Sequence, residues 1–419
     1  MRAHPDCVVE SLQEREIEGR WTPGRQRSTI NAFLPVAKPV VRTSRVSAAF
    51  ILAACAARGA CAFAENGVGA GQILIGQSAS LTGTAAEAGQ QTRDGALAYF
   101  EVVNRKGGVN GRKIKLITLD DGGQTTRGEE NTRKLIAEDK VFLLFGYTGR
   151  NTSEAALPIV AKADIPFFGA ATGGETIHGT FNKNVFNVRA SYKMETLALV
   201  NYLVITGQKK IGMIYHKDDL TKSNLKMTED ATALHGFKLL GGASVDRNST
   251  DVKEAVGIMS KLDPDAVICN AAVKPLSEFV RQMRKSGAKS QFLSVSFVGS
   301  AIVKELKSDA AGVIMAQVVP LPTKRSIPVV AEYHGALAAV GAKPDYSFSG
   351  LEGFISAKVL VEGLKRSGKA PTRAGFIKAM EGIRELDLGD YFVSYSPTNH
   401  NGSKYVDITV INGAGLFFN

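Results

Sequence analysis

The chain has 419 residues, 44% of them hydrophobic, enough to bury substantial cores over two or three domains. Charged residues make up 22%, an ordinary globular share that excludes wholesale disorder. The net charge of +11 is spread out: residues 1–64 hold 9 basic and 5 acidic side chains, and 42 basic and 35 acidic ones follow. With no aromatic-rich basic stripe, a mildly basic surface and no nucleic-acid partner are expected.

In chain order, residues 1–64 read as a leader unlike the rest. Arg42 and Arg45 precede a short apolar stretch, Val46 to Ala57, that runs on to Ala62-Phe63-Ala64. Basic flank, short apolar core and A-x-A end describe a secretory signal peptide over about residues 42–64, cleaved after Ala64. The core is too short to span a bilayer. Residues 1–41 include Asp6, Glu10, Glu14, Glu16 and Glu18 and do not suit a signal, so translation is expected to start near Val41. Leu52-Ala53-Ala54-Cys55 offers a second reading, a lipoprotein box with Cys55 as the lipid-anchored terminus. Beyond Ala64 the one cysteine is Cys269, inside an apolar strand and expected to be a small buried hydrophobe.

From Ile73 strands and helices alternate. Ile73-Leu74-Ile75 opens a strand that ends in a Ser- and Thr-rich loop, and the helix after it carries Leu97, Phe100 and Val103 at helical spacing. Gly107-Gly108 ends that helix, and "KIKLITLDD" is the next strand. "TTRGEENTRKLIAED" reads as a helix with Leu135 and Ile136 inward. "KVFLLFG" is nearly continuous in apolar residues, as in parallel strands covered on both faces. "TSEAALPIVAKA" and "DIPFFGAA" give a further helix and strand. After "NVFNVRAS" the rhythm restarts and runs to "QFLSVSF". Two runs of βα units imply an α/β fold of two doubly wound lobes. "GVIMAQVVP", a helix within residues 328–340 and the long helix around "LEGFISAKVLVEGL" return to complete them. Lobe I is expected over 71–189 and about 321–388, and lobe II over 190–320 and about 389–419. The chain would cross between them near Arg189, near Pro320 and before Tyr391.

Catalytic signatures are missing. There is no phosphate-binding G-x-x-x-x-G-K-[ST] and no G-x-S-x-G, and Gly67 to Gly71 precede the first strand instead of following it. His178, His216, His235, His334 and His400 show no metal-ligand spacing and read as solvated or capping residues. Asp120-Asp121 ends a strand before two glycines, where turn capping is expected. No enzyme activity, metal or cofactor is expected.

What remains is three strand-end loops in the first lobe: Ser78 to Gly83, Gly146 to Ser153 and Gly169 to Glu175. Ligands of open α/β sheets bind beyond the carboxyl ends of strands. Each loop offers hydroxyls and backbone N–H groups and leads towards a helix N-terminus, a combination that holds an anion without a cationic side chain. Read singly, each Ser or Thr is a helix cap. Read together, they share a carboxylate ligand.

At these loops the sequence resembles a known family. "IGQSASLTG…GGVNGRKIKLITLDDG", "LFGYTGRNTSEAALPIVAKADIPFFGAATG" and "LEGFISAKVLVEGL" are similar to the branched-chain amino-acid (leucine/isoleucine/valine) binding proteins among the periplasmic solute-binding proteins of ABC transporters. The similarity runs from about Ile73 to Phe417. It implies the type I periplasmic binding fold: two Rossmann-like lobes, three crossovers, and a cleft that closes by a hinge. By position it puts the ligand carboxylate on Thr148 and Gly149, beside Tyr147, and on Ala170, Ala171 and Thr172, with Ser80 lining the cleft. In the second lobe the corresponding positions are Leu220, where relatives place a tyrosine, Ala272, and Ser296, where they place an acid for the α-ammonium. The tyrosine of the opening helix is Ala88 here. A charge-assisted hydrogen bond contributes roughly 1.5–3 kcal/mol, so loss of the acid costs about one to two powers of ten unless another acid replaces it. Glu352 is one candidate, with a structural carboxylate as its other reading. The ligand is then an amino acid held differently, or an organic acid without the amine.

The expected function is an exported, monomeric, periplasmic solute-binding protein that serves an inner-membrane ABC permease. The alternative is a ligand sensor of the same fold that feeds a signalling partner.

Overall fold

The computed structural model describes residues 65–217, 221–247, 249–341 and 345–419. The expected signal peptide, the start near Val41, the alternatives at Ala64 and Cys55, and Leu220 lie outside the described residues. The first run of elements is β1 (Gln72–Ala79), α1 (Ala86–Arg105), β2 (Lys113–Asp120), α2 (Thr125–Ala137), β3 (Leu143–Phe145), α3 (Arg150–Ala163), β4 (Phe167–Phe168), α4 (Glu175–His178) and β5 (Val185–Phe186). Its strands form one parallel sheet in the order β2-β1-β3-β4-β5.

The second run is α5 (Tyr192–Ile205), β6 (Ile211–His216), α6 (Thr221–Ala233), β7 (Gly241–Val245), α7 (Lys253–Leu262), β8 (Ala266–Asn270), α8 (Val273–Lys285), β9 (Gln291–Ser294), α9 (Ala301–Leu306) and β10 (Ile314–Gln317). Then come α10 (Pro328–Ala339), α11 (Phe348–Arg366), α12 (Arg373–Glu381), a small hairpin of β11 (Leu386–Asp387) and β12 (Phe392–Val393), and finally β13 (Asp407–Ile411) and β14 (Phe417–Phe418). The second sheet has the order β14-β13-β10-β9-β8-β6-β7, parallel except for β13 and β14.

Strand side chains alternate between faces, so a run buried on both faces must be apolar throughout. Ile73, Ile75, Leu143 and Phe145 face one core, while Leu74 and Leu144 face the other. The second sheet repeats the scheme, with Val267 and Cys269 on one side and Ala266 and Ile268 on the other. Cys269 is buried, and its burial pushes the thiol well above its usual range.

The first sheet's outer core is closed by late parts of the chain. Helix α11, capped by Ser347 on the Gly350 N–H, packs along α1 at backbone distance. A Cβ on Gly95 would lie 1.9 Å from the Gly350 carbonyl oxygen, and one on Gly353 would lie 2.0 Å from that of Thr92. Only glycine permits this approach. The contact turns Ala96, Tyr99 and Phe100 inward, whereas Leu97, expected inward, is 40% exposed on the flank.

The second stretch to link the sheets, near Val318, accepts a hydrogen bond from the Tyr391 hydroxyl. The expected boundary at 389 shifts, because Tyr391, Val393 and Tyr395 are buried in the first core and β12 is held there by its hairpin with β11. The third passage falls between about 396 and 406. It runs beside the first: the Asn187 N–H donates to His400 O, Gly402 N–H to Asn187 O, and Ser403 N–H to Val188 O.

Candidate functional site

Strands β1, β3 and β4 point their carboxyl ends the same way, so the loops that follow them meet at one rim. Ser80 N–H donates to Thr148 Oγ1 at 2.9 Å, which joins the first loop to the second. Ala171 N–H donates to Tyr147 O at 2.8 Å in a parallel bridge that joins the second to the third. Gly149 turns the chain into α3 at φ +88°, a conformation that favours glycine. The three loops thus form one stitched surface, with Thr148 left its hydroxyl proton to donate.

The acidic pair beneath this rim does what turn chemistry predicts. Asp120 accepts from the N–H groups of Leu81, Thr82 and Gly122 and from the Thr82 hydroxyl. Burial works to raise its pKa, but the Thr82 hydroxyl and these N–H groups overcome it and hold the carboxyl well below the usual range. Asp121, wholly buried, accepts from the Ser78 and Ser80 hydroxyls and the Gly123 N–H.

Several expected ligand groups prove to be committed inward. Ser80 turns its hydroxyl to Asp121, leaving its backbone as the part at the rim. The Tyr147 side chain is buried in the core against Thr132 Oγ1 at 3.0 Å, and burial pushes its hydroxyl above the usual range. Only the backbone of Tyr147 belongs to the rim. Thr172 is fully buried: its oxygen accepts from Gly174 N–H at 3.3 Å and lies 3.5 Å from the Tyr192 hydroxyl. The helix after the third loop, α4, is a single turn, so it adds little dipole of its own. Ala170 and Ala171 offer backbone and methyl surface only.

Most of the histidines are buried and bonded instead of solvated. His178, buried, donates from Nε2 to the Thr172 carbonyl at 3.0 Å, and burial pushes its pKa down to about 4. At the rim of the second sheet the Ala272 N–H donates to His216 Nε2 at 2.8 Å. Among the described residues no group of His, Cys, Asp or Glu could hold a metal ion.

The largest departure from expectation is at the first crossover. Arg189 is 3% exposed and spends its guanidinium on both lobes. Nη2 donates to Glu195 Oε1 and to Ser296 Oγ, both at 2.5 Å, and Nη1 meets Glu352 at 3.2 and 3.5 Å. Glu195 also receives the Ser296 N–H at 2.6 Å and the Ser296 hydroxyl at 3.0 Å. Burial pushes the Glu195 carboxyl up, while Arg189 and the Ser296 donors favour its ionised form. Ser296 is therefore a partner of Glu195, and Glu352 is an ion-pair partner of Arg189.

Tyr192 ties this cluster to the rim. Its N–H donates to Gly173 O at 2.8 Å and its ring lies 5.4 Å beneath the Arg189 guanidinium. Arg150, at the start of α3, is paired with Glu154 at 2.7 Å and reaches Asn224 of α6 at 3.5 Å, so the rim does carry a cation at its edge. Across the other side Lys304 of α9 meets Glu87 of α1 at 2.6 Å. Sequence reasoning missed Arg189, Glu195, Tyr192 and Arg150. The available signal was an arginine in "VFNVRASYKME", where an apolar strand and a helix leave little room for an unpaired charge.

Two cavities flank the crossovers, about 120 and 70 Å³. The first is lined by His178, Phe181, Asn187, His400 and their neighbours, the second by Glu175, Arg189, Ser191 and others. Neither reaches Ser80, Thr148, Ala171 or Ser296. At about 30 Å³ per water they suit a few solvent molecules.

A family model of periplasmic binding proteins matches residues 72–415. Two solved structures are similar over nearly their whole length. One, a substrate-binding periplasmic protein from Ralstonia solanacearum, is 33% identical at a TM-score of 0.76, covering 82% of this chain and 99% of that one. The other, a "possible leucine/isoleucine/valine-binding protein" from Rhodopirellula baltica SH 1, is 31% identical at 0.77, covering 83% and 96%. Leu/Ile/Val-binding protein homolog 3 of Brucella melitensis biotype 1 is 22% identical over 342 residues, 80% of this chain and 90% of that protein. The chain belongs to the periplasmic binding protein family, and its relatives are solute-binding proteins, not enzymes.

Proposed function

We propose that this periplasmic binding protein captures a small carboxylate-bearing solute, an amino acid or a related organic acid, outside the cytoplasm and delivers it to an ABC-transporter permease. The stitched rim carries the reading: three loops joined through Ser80, Thr148 and Ala171 present fixed donors at the carboxyl edge of a parallel sheet. The names of the relatives, Leu/Ile/Val-binding among them, agree with it. The second lobe meets the rim from across the crossovers, through Tyr192 on Gly173 and Asn224 on Arg150. Closure of the two lobes over the solute belongs to the same reading.

Calorimetric titration against amino acids and simple organic acids tests this directly. A carboxylate should bind, and Thr148→Ala should weaken it by roughly tenfold, the loss of one hydrogen bond to a charged group. Thr172→Ala should leave affinity within about threefold and lower the melting temperature, as loss of a capping oxygen does. Binding of a neutral sugar with no response to any carboxylate would refute the anchor.

A further inference from the structure

The second lobe exposes aliphatic side chains at the end far from the rim. Ile205 is 85% and Leu234 73% exposed, the two most exposed large hydrophobic residues among those described, and Leu240 joins them at 39%. Ile205 ends α5 and Leu234 follows α6, and the two helix ends are tied where His235 Nε2 lies 2.7 Å from the Asn201 side-chain oxygen. Asn201 lies one turn before Ile205 on the same face, so Ile205 stands where α6 has run out. Leu240 leads into β7, the edge strand of the second sheet, and its N–H donates to the Ile211 carbonyl at 2.8 Å. One exposed leucine needs no explanation, but three aliphatics from neighbouring elements mark a contact surface.

Lysines flank this group. Lys209 and Lys210 precede β6 and Lys238 precedes β7, all three exposed. Continued back from Gly212 and Gly241, the β6–β7 register sets Lys209 beside Lys238. The carboxylates at this end do little to neutralise them. Asp265 spends Oδ2 on the backbone N–H groups of Lys209 and Lys210, at 3.3 and 3.0 Å, and Asp230 is paired with Lys226 at 2.8 Å. Asp263 is offset by Lys261 two residues away, which leaves Glu229 on α6.

The composition tells which partner fits. Protein–protein interfaces favour aromatic residues, methionine and arginine and are poor in lysine. Here Tyr202 and Phe237 pack against the core, Met213 and Met227 are buried, and residues 201–242 contain no arginine. Aliphatic side chains flanked by lysines suit the surface of an anionic bilayer, where apolar groups enter the headgroup boundary and ammonium groups meet phosphates. We propose that this end of the second lobe docks on anionic phospholipid headgroups. The patch lies at the amino edge of the second sheet, whereas His216 and Ala272 mark the carboxyl ends of β6 and β8. A docked molecule therefore keeps its rim clear of the membrane.

Vesicle flotation of the full chain tests this, comparing phosphatidylcholine alone with phosphatidylcholine mixed with phosphatidylglycerol. The chain should bind the mixed vesicles more tightly, and high salt should reduce that preference. Lys209→Gln, Lys210→Gln and Lys238→Gln together should weaken binding to mixed vesicles roughly a hundredfold, about fivefold per lysine. Ile205→Ser with Leu234→Ser should weaken it by about tenfold. All five positions are exposed, so both variants should keep the parent's melting temperature, and the residues before 65 are the same in each. Equal binding to both vesicle types, no binding at low salt, or variants that bind as the parent does would each overturn the proposal. So would a dimer, seen by light scattering, that Ile205→Ser with Leu234→Ser abolishes while vesicles leave the chain in solution; the patch would then join two copies of this chain.

Discussion

The rim of the first sheet and the cluster at the first crossover solve the same problem with opposite means. The rim fixes its geometry with neutral hydrogen bonds between neighbouring loops, Ser80 to Thr148 and Tyr147 to Ala171, and with two carboxylates set beneath it to cap turns. The crossover cluster fixes its geometry with buried charge, one guanidinium shared among residues of both lobes. Neutral donors aimed at a rim cost little to keep in place and leave room for an incoming anion. Buried charges are stable only while every partner is present, so they define a joint more sharply than they strengthen it.

The largest expected effect follows from that difference. Arg189→Met should cost about 3–5 kcal/mol in urea unfolding, because it leaves Glu195 buried and Glu352 partly buried with no countercharge. A loss below about 1 kcal/mol would break the comparison, since the cluster would then be no more critical than a single rim hydrogen bond.

His178 sharpens it, since this residue supports the third rim loop from the crossover side through the Thr172 carbonyl. Its folded pKa of about 4 lies below the 6.5 of the unfolded chain. Between those values the unfolded chain binds a proton that the folded one excludes, so stability is full above about pH 6.5 and falls as pH drops towards 4. The loss should reach about 3 kcal/mol at the acid end, read as urea midpoints against pH. His178→Gln should remove that part of the slope.

The smallest effect belongs to the exposed pair across the other side. Lys304 and Glu87 lie at 2.6 Å, but Lys304 keeps 70% of its side chain in solvent. A double-mutant cycle should give under about 1 kcal/mol and nothing at high salt. A larger value would mean that charge holds both ends of the interlobe contact.

The sequence made much of the fold, and the rim of the candidate site, legible. Runs such as Val141 to Phe145 announce strands buried on both faces, and Ser, Thr and Gly at strand ends announce the rim. What stayed hidden depended on partners far apart in the chain. Arg189 and Glu352 are 163 residues apart, and no periodicity links them. Likewise the inward turn of Thr172 and Ser80 came from oxygens finding neighbours that only the folded backbone supplies, Gly174 N–H and Asp121. The third passage was misplaced because Tyr391 and Tyr395 look like any strand residue until their hydroxyls are seen on Val318 and Asn187.

The glycine-lined contact of α1 with α11 bears on the order of assembly. The two helices touch backbone to backbone between residues near 95 and residues near 350. A nascent chain that has completed the first five strands still lacks the wall that covers Ile73, Phe100 and Phe145. That core can close only after the other sheet's first five strands have been synthesised, and so distant a pairing slows the search for the native state. Early portions of the polypeptide must therefore wait, with greasy surface uncovered, for a helix made near the end.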